Sequence, residues 1–154
     1  MNAVNTQRMH ADEVHLDAPL VQKLIARRFP EWAGLPVRRL ASFGTENAMF
    51  RLGTDLVVRL PRRPGAVPDL VHEQRWLPRL GPLLPVAVPQ PVGVGEPDAG
   101  YPWPWSVYRW LQGTNPGGWA LSISLIQLPY YWDTNPALAE NSRHVVAEML
   151  AEAG

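Results

Sequence analysis

The chain of 154 residues contains no cysteine. That excludes disulfides, thiolate metal sites and cysteine nucleophiles, and it accords with a reducing, cytoplasmic setting. An excess of charge is missing too. Fourteen basic residues balance 14 acidic ones, so no global field calls for nucleic acid or an acidic membrane as partner. Lysine is nearly absent: Lys23 stands alone among the 14 basic residues. With 17 prolines, this points to a GC-rich coding bias as much as to function. No apolar run reaches the length of about 18 residues that a membrane span needs, and the polar N-terminus lacks a signal-peptide pattern. Repeats and low-complexity tracts are absent. The length suits one domain, or one lobe of a larger one.

What is present is a sequence of short periodic segments. Residues 1–16 carry no clear period and are expected to fray. Asp17 reads as an N-cap with Pro19 in the first turn, and Leu20, Leu24 and Ile25 give an amphipathic helix to about Phe29. Val37 to Phe43, Ala48 to Leu52 and Leu56 to Leu60 read as a three-strand meander, with turns at "GTEN" and Gly53-Thr54-Asp55. Helical spacing resumes at Leu70, Glu73, Trp76, Leu77 and Leu80, and Pro78 is expected to end or kink that helix. Val92 and Val94 suit a strand in a proline-broken stretch, and Trp105 to Leu111 is a clearer one. Beyond a linker at Gly113–Gly118, the segment Trp119–Leu128 is apolar on nearly every side and requires cover larger than itself. Asn135 and Pro136 mark a last helix with Val145, Val146, Met149 and Leu150 on its apolar face.

The stretch "LVVRLPRR", Leu56 to Arg63, carries the first hint of chemistry. It places one cation, Arg59, in an apolar strand that a proline ends. Kinases hold ATP phosphates with a strand cation under a turn, usually a lysine. Taken alone, Arg59 reads better as a solvent-facing strand arginine.

The order helix, β-β-β, helix, β-β, linker is that of a kinase N-lobe with an extra leading helix. "FGTENAMFRLGTDLVVRLPRR", "HEQRWLPRLGPLLPV" and "WSVYRWLQG" resemble the N-terminal half of the aminoglycoside/macrolide phosphotransferase family, from about Asp12 to Asn115. Residues Gly118 to about Glu152 resemble the last two helices of that family's C-terminal half. The family's catalytic loop, His-Gly-Asp followed by Asn, would lie between them. The histidines here, His10, His15, His72 and His144, are followed by Ala11, Leu16, Glu73 and Val145, so the motif does not occur. None of the six aspartates, Asp12, Asp17, Asp55, Asp69, Asp98 and Asp133, stands in a family-like metal motif. An in-frame internal deletion near Thr114–Gly118 accounts for both facts.

The resemblance implies roles for a few residues, each with a plainer alternative. Arg59 corresponds to the phosphate-contacting cation, whose planar fork can grip phosphate oxygens. Glu73 corresponds to the helix glutamate that pairs with it, the alternative being a surface glutamate; the pairing is favoured because Glu73 sits on the apolar-facing side with Trp76 and Leu77. "FGTENA", with Gly44 and Thr45, corresponds to the phosphate turn, though one glycine suits a plain hairpin as well. Tyr108 to Gly113 corresponds to the hinge for adenine, with Tyr108 on the back wall, the Arg109 carbonyl and the Leu111 N–H. Trp103 and Trp105 read better as packing on the lobe than as stacking platforms for bases. Asp133 in "DTNP" reads as a helix cap, and His72 has no metal-ligand partner at useful spacing.

The expectation is an α+β fold: a kinase-like lobe at residues 17–113, a junction at 114–118 and a helical remnant at 119–154. The family implies phosphoryl transfer from ATP or GTP, with Mg²⁺, to a hydroxyl of a small molecule such as an antibiotic. This chain is expected to keep weak nucleotide binding without catalytic residues and without an acceptor, or else to persist as a non-enzymatic partner-binding module. Its uncovered apolar surfaces favour a homodimer over a helix that folds back on its own lobe.

Overall fold

The computed structural model describes residues 14–41, 46–83 and 87–111, together with positions 137, 140, 143, 144, 146–148 and 151 of a C-terminal helix. Gly44, Thr45, the linker, the Trp119–Leu128 segment and Asp133 lie outside the described residues.

Helix α1, Ala18–Arg28, begins where the cap chemistry places it. The Asp17 Oδ1 accepts from the Leu20 N–H at 2.9 Å, and Pro19 occupies the first turn. Arg27 and Arg28 complement the dipole at the far end, and Val21, Leu24 and Ile25 are buried. Five strands follow: β1 Val37–Arg39, β2 Asn47–Leu52, β3 Leu56–Pro61, β4 Pro91–Gly95 and β5 Trp105–Arg109. They form one antiparallel sheet in the order β1-β2-β3-β5-β4. Gly53, at φ +58°, makes the turn between β2 and β3 that a side chain would strain. Helix α2, Val67–Leu80, crosses from β3 to the β4 side and packs against β4 and β5.

Two features depart from expectation. Pro78 does not end α2, which continues two residues further to Leu80. It costs one hydrogen bond near the C-terminus, where the last turn is closed by the Gly81 N–H donating to the Leu77 carbonyl. Trp76, expected on the inward side, is 38% exposed between Arg75 and Arg79, whereas Leu70, Glu73 and Leu77 are buried.

Side chains alternate across the sheet with period two. One face sends Ala48, Phe50 and Leu52 from β2, Val58 and Leu60 from β3 and Trp105 and Val107 from β5 into a core closed by α1. Trp105 lies so close over β4 that a Cβ on Gly95 would come within 1.9 Å of its ring, so only glycine fits there. Trp103 packs at the margin of this core, edge-on to Tyr101, as expected for a structural rather than a stacking role. The opposite face carries Met49, Val57, Arg59, Ser106 and Tyr108, and α2 covers one end of it with Glu73 and Leu77.

Candidate functional site

Among the described residues, the charged or polar side chains in the buried class, tyrosines aside, are three: Arg59, Glu73 and Ser106. All three stand together on the second face. Arg59 faces inward because β3 alternation that sends Val58 and Leu60 under α1 turns Val57 and Arg59 the other way. Glu73 occupies a position in α2 where the helical period calls for an apolar residue, between Leu70 and Leu77. The Arg59 Nη1 donates to the Glu73 Oε2, forming the pair that the resemblance implied. The Tyr108 hydroxyl donates to the same Oε2 at 2.9 Å. From the other side, the Gln74 amide donates to the Ser106 hydroxyl at 2.6 Å, and Ser106 also bonds Tyr108. A continuous polar row runs Gln74, Ser106, Tyr108, Glu73, Arg59.

The electrostatics follow from burial and pairing. Burial opposes the Arg59 charge, and the Glu73 carboxylate, with lesser help from Tyr108 and Asp69, outweighs it, so the guanidinium's pKa stands raised. Burial, with the Glu73 charge beside it, pushes the Tyr108 phenol upward, which keeps it a donor. Asp69, in the first turn of α2, is half-buried. Its desolvation raises its pKa, and the Arg59 charge only partly offsets this.

The polar row ends on an apolar patch. Val57, two residues before Arg59 on the same strand face, is buried with Leu77, Val88 and Tyr108, and Leu40, Met49 and Trp110 flank them. Two residues of strand span about 6–7 Å. Trp110 is held in place by its backbone N–H, which donates to the Asp55 carbonyl at 2.8 Å, and by the Arg51 guanidinium 3.8 Å over its ring. Beside this patch opens a concavity of about 480 Å³, lined by Ala87, Val88, Gln90, Arg109, Trp110 and Leu111 among others.

The sequence-predicted residues therefore sort cleanly. Arg59, Glu73 and Tyr108 meet through hydrogen bonds, and Arg109 and Leu111 stand together at the rim of the neighbouring concavity. Gly44 and Thr45 lie outside the described residues, although the segment they belong to is flanked by a pairing of Glu46 with Arg63, whose Nε donates to Glu46 Oε2 at 2.8 Å. Ser106, Gln74 and Asp69 were not singled out from sequence. Ser106 had one signal, a hydroxyl in the otherwise apolar run "WSVY". No group of three or more His, Cys, Asp or Glu that could hold a metal occurs among the described residues.

With this geometry in hand, the likeness to known proteins is specific. The sequence model of the "Phosphotransferase enzyme family" (APH) matches residues 37–127. The GDP complex of wild-type aminoglycoside 2'-phosphotransferase-IIIa is similar in fold, with a TM-score of 0.58 and 21% identity over 82% of this chain and 46% of that one. The GDP and kanamycin complex of APH(2")-IIia superposes with a TM-score of 0.54 and 23% identity, over 79% of this chain and 44% of that one. This chain thus spans less than half the length of these solved structures. No curated protein matches it in sequence.

Proposed function

We infer, for a chain that belongs to the phosphotransferase enzyme family, that its sheet lobe is a binding site for the purine nucleotide ATP or GTP. In this reading Arg59 receives the α and β phosphates, Glu73 holds the guanidinium in place, and Tyr108 fixes Glu73 in turn. The base lies along the apolar patch toward Arg109 and Leu111, whose backbone groups supply its hydrogen bonds. The turn with Gly44 and Thr45 closes over the phosphates. Mg²⁺, if it takes part, arrives with the nucleotide and neutralises phosphate charge.

One observation carries the reading: a buried arginine and glutamate paired beside an apolar patch on the face opposite the lobe's own core. Its residues fit a nucleotide by chemistry, since a forked cation suits phosphate oxygens and a flat apolar surface suits a purine. The family reaction is phosphoryl transfer to a hydroxyl. The sequence lacks the His-Gly-Asp motif that would supply the base for it. We therefore assign this chain binding without turnover, and no phosphorylation of an aminoglycoside or macrolide. The other reading, a non-enzymatic module that associates as a homodimer, shares the fold but requires no nucleotide.

Isothermal titration with Mg-ATP and Mg-GTP separates the two. Affinity in the millimolar to high-micromolar range is expected, about 4–6 kcal/mol, and Arg59→Met should abolish it. Sub-micromolar binding, or binding indifferent to Arg59→Met, would overturn the assignment of this face.

A further inference from the structure

The apolar patch already has an occupant. Val146, from the C-terminal helix, packs against the cluster of Val57, Leu77, Val88 and Tyr108, alongside Leu40, Met49 and Trp110. Every other described position of that helix, Ala137, Glu140, Arg143, His144, Ala147, Glu148 and Ala151, is exposed. Glu140 pairs with Arg143 at 3.2 Å and His144 with Glu148 at 3.1 Å on the wet side. In helical projection those exposed positions fall between about 60° and 200° from Val146. The helix thus turns a charged arc to water, and the edge with Val146 meets the sheet.

We propose that the C-terminal helix of this chain is an intramolecular plug, seated on the surface where the nucleotide base would lie, so that helix and base exclude one another. The proposal rests on the nucleotide reading above for the identity of the competitor, but the seating of Val146 does not. The overlap follows from position. Val57 and Tyr108 pair directly across β3 and β5, and the Tyr108 hydroxyl reaches Glu73, the partner of Arg59. A flat group extending from phosphates on Arg59 toward the apolar patch crosses Val57 and Tyr108, two members of the cluster that Val146 packs against. Val146 reaches the patch within one chain, so the occupant proposed is the chain's own helix, and a second copy's helix is an outcome of the test. Nucleotide bound to such a protein must first displace the helix. Its apparent affinity is reduced by the fraction of molecules in which the helix is undocked.

The absence of cysteine makes the test clean. Single-cysteine variants Val146→Cys and His144→Cys are made in the full chain, and their rates of reaction with a maleimide are compared. His144, with a side chain 69% exposed, is the unprotected reference. Val146→Cys is expected to react at least about tenfold more slowly, and saturating Mg-ATP or Mg-GTP should bring its rate up toward the reference without changing His144→Cys. Val146→Glu should tighten nucleotide binding by about tenfold. Light scattering should show a 17.2 kDa monomer while Val146→Cys is protected. Equal rates for the two cysteines would overturn the plug. Protection that nucleotide does not relieve, with Arg59-dependent binding intact, would overturn the exclusion. Protection found only in a dimer would assign the patch to a second copy and overturn the intramolecular commitment. Binding by neither the parent nor Val146→Glu would overturn the nucleotide reading and the competition together, and the thiol rates would then show separately whether the helix is docked.

Discussion

Replacing Glu73 by leucine tests the central pair most directly. Arg59 is 6% exposed and Glu73 1%, so the pair sits in the interior rather than at a solvated surface. Removing the carboxylate strands a guanidinium whose charge Glu73 offsets and takes away the acceptor of the Tyr108 O–H. Breaking a buried pair from one side costs about 3–5 kcal/mol. For a chain of this size each kcal/mol moves Tm by roughly 2–4 °C, so Glu73→Leu should lower Tm by about 6–20 °C. The double variant Arg59→Met/Glu73→Leu should regain most of that loss. It replaces both charges by apolar groups beside Leu70 and Leu77, and such replacement is commonly neutral or stabilising. Thermal unfolding followed by circular dichroism reads both, and a double-mutant cycle gives the coupling. A Glu73→Leu cost below about 1 kcal/mol would fit only an exposed pair and would refute the buried geometry. A double variant as unstable as the single one would refute the view that the stranded charge is the source of the cost.

The other predictions concern the neighbours of that pair. Tyr108→Phe removes one donor from a carboxylate that keeps Arg59, so the cost should be at the low end for a charged hydrogen bond, about 1.5 kcal/mol in urea unfolding; no loss would mean the hydroxyl bond does not form. Asp69 has a raised pKa in the folded state, so its contribution is fully present below the unfolded value of 3.8 and is lost as pH rises through the folded pKa. Asp69→Asn should therefore gain stability over the parent as pH rises from about 3 toward 6, and a constant difference across that range would contradict the desolvation. Gly95→Ala forces a Cβ into the Trp105 ring, and an overpacking cost of about 1–3 kcal/mol should appear with a shift in tryptophan fluorescence.

How far these features could be read from sequence depends on whether one residue or several encode each. Helix α1 was legible because Asp17, Pro19 and the spacing of Leu24 and Ile25 all agree. The meander was legible from its turns, and Arg59 from being the lone charge within an apolar strand. Glu73 was legible only with the family pattern, since a glutamate on a helix is usually on the wet side. Trp76 is exposed, and a spacing of three from Glu73 does not by itself mean shared burial. In projection, Leu70 and Leu77 lie about 60° and 40° to one side of Glu73, whereas Trp76 lies about 60° to the other. The buried arc is therefore centred away from Trp76. Ser106 and Gln74 escaped notice because their roles come from pairing across β5 and α2, which no local pattern records. The seat of Val146 was invisible for the same reason: it joins positions about 90 residues apart in sequence.

The two faces of the sheet answer different demands. The core on the face under α1 is built from aliphatic and aromatic side chains. The other face spends positions that could be apolar on Arg59, Glu73 and Ser106. Burial of such a pair is weak evidence for stability, because an apolar set of equal volume usually does as well. On the nucleotide reading proposed above, its value lies in what the guanidinium can do for a ligand. A cation held by Glu73 and Tyr108 needs little reorganisation when an anion arrives. The same argument explains the neighbouring patch. An apolar surface left wet beside a charged row lowers stability, and under the proposed reading the patch needs a second cover whenever no nucleotide is bound. Val146 is positioned to be that cover. Undocking exposes Val146 and returns the patch to water unless a ligand takes its place, while the exposed pairs Glu140–Arg143 and His144–Glu148 are unaffected. The cover can therefore be weak enough to yield to a nucleotide and still strong enough to protect the patch in its absence.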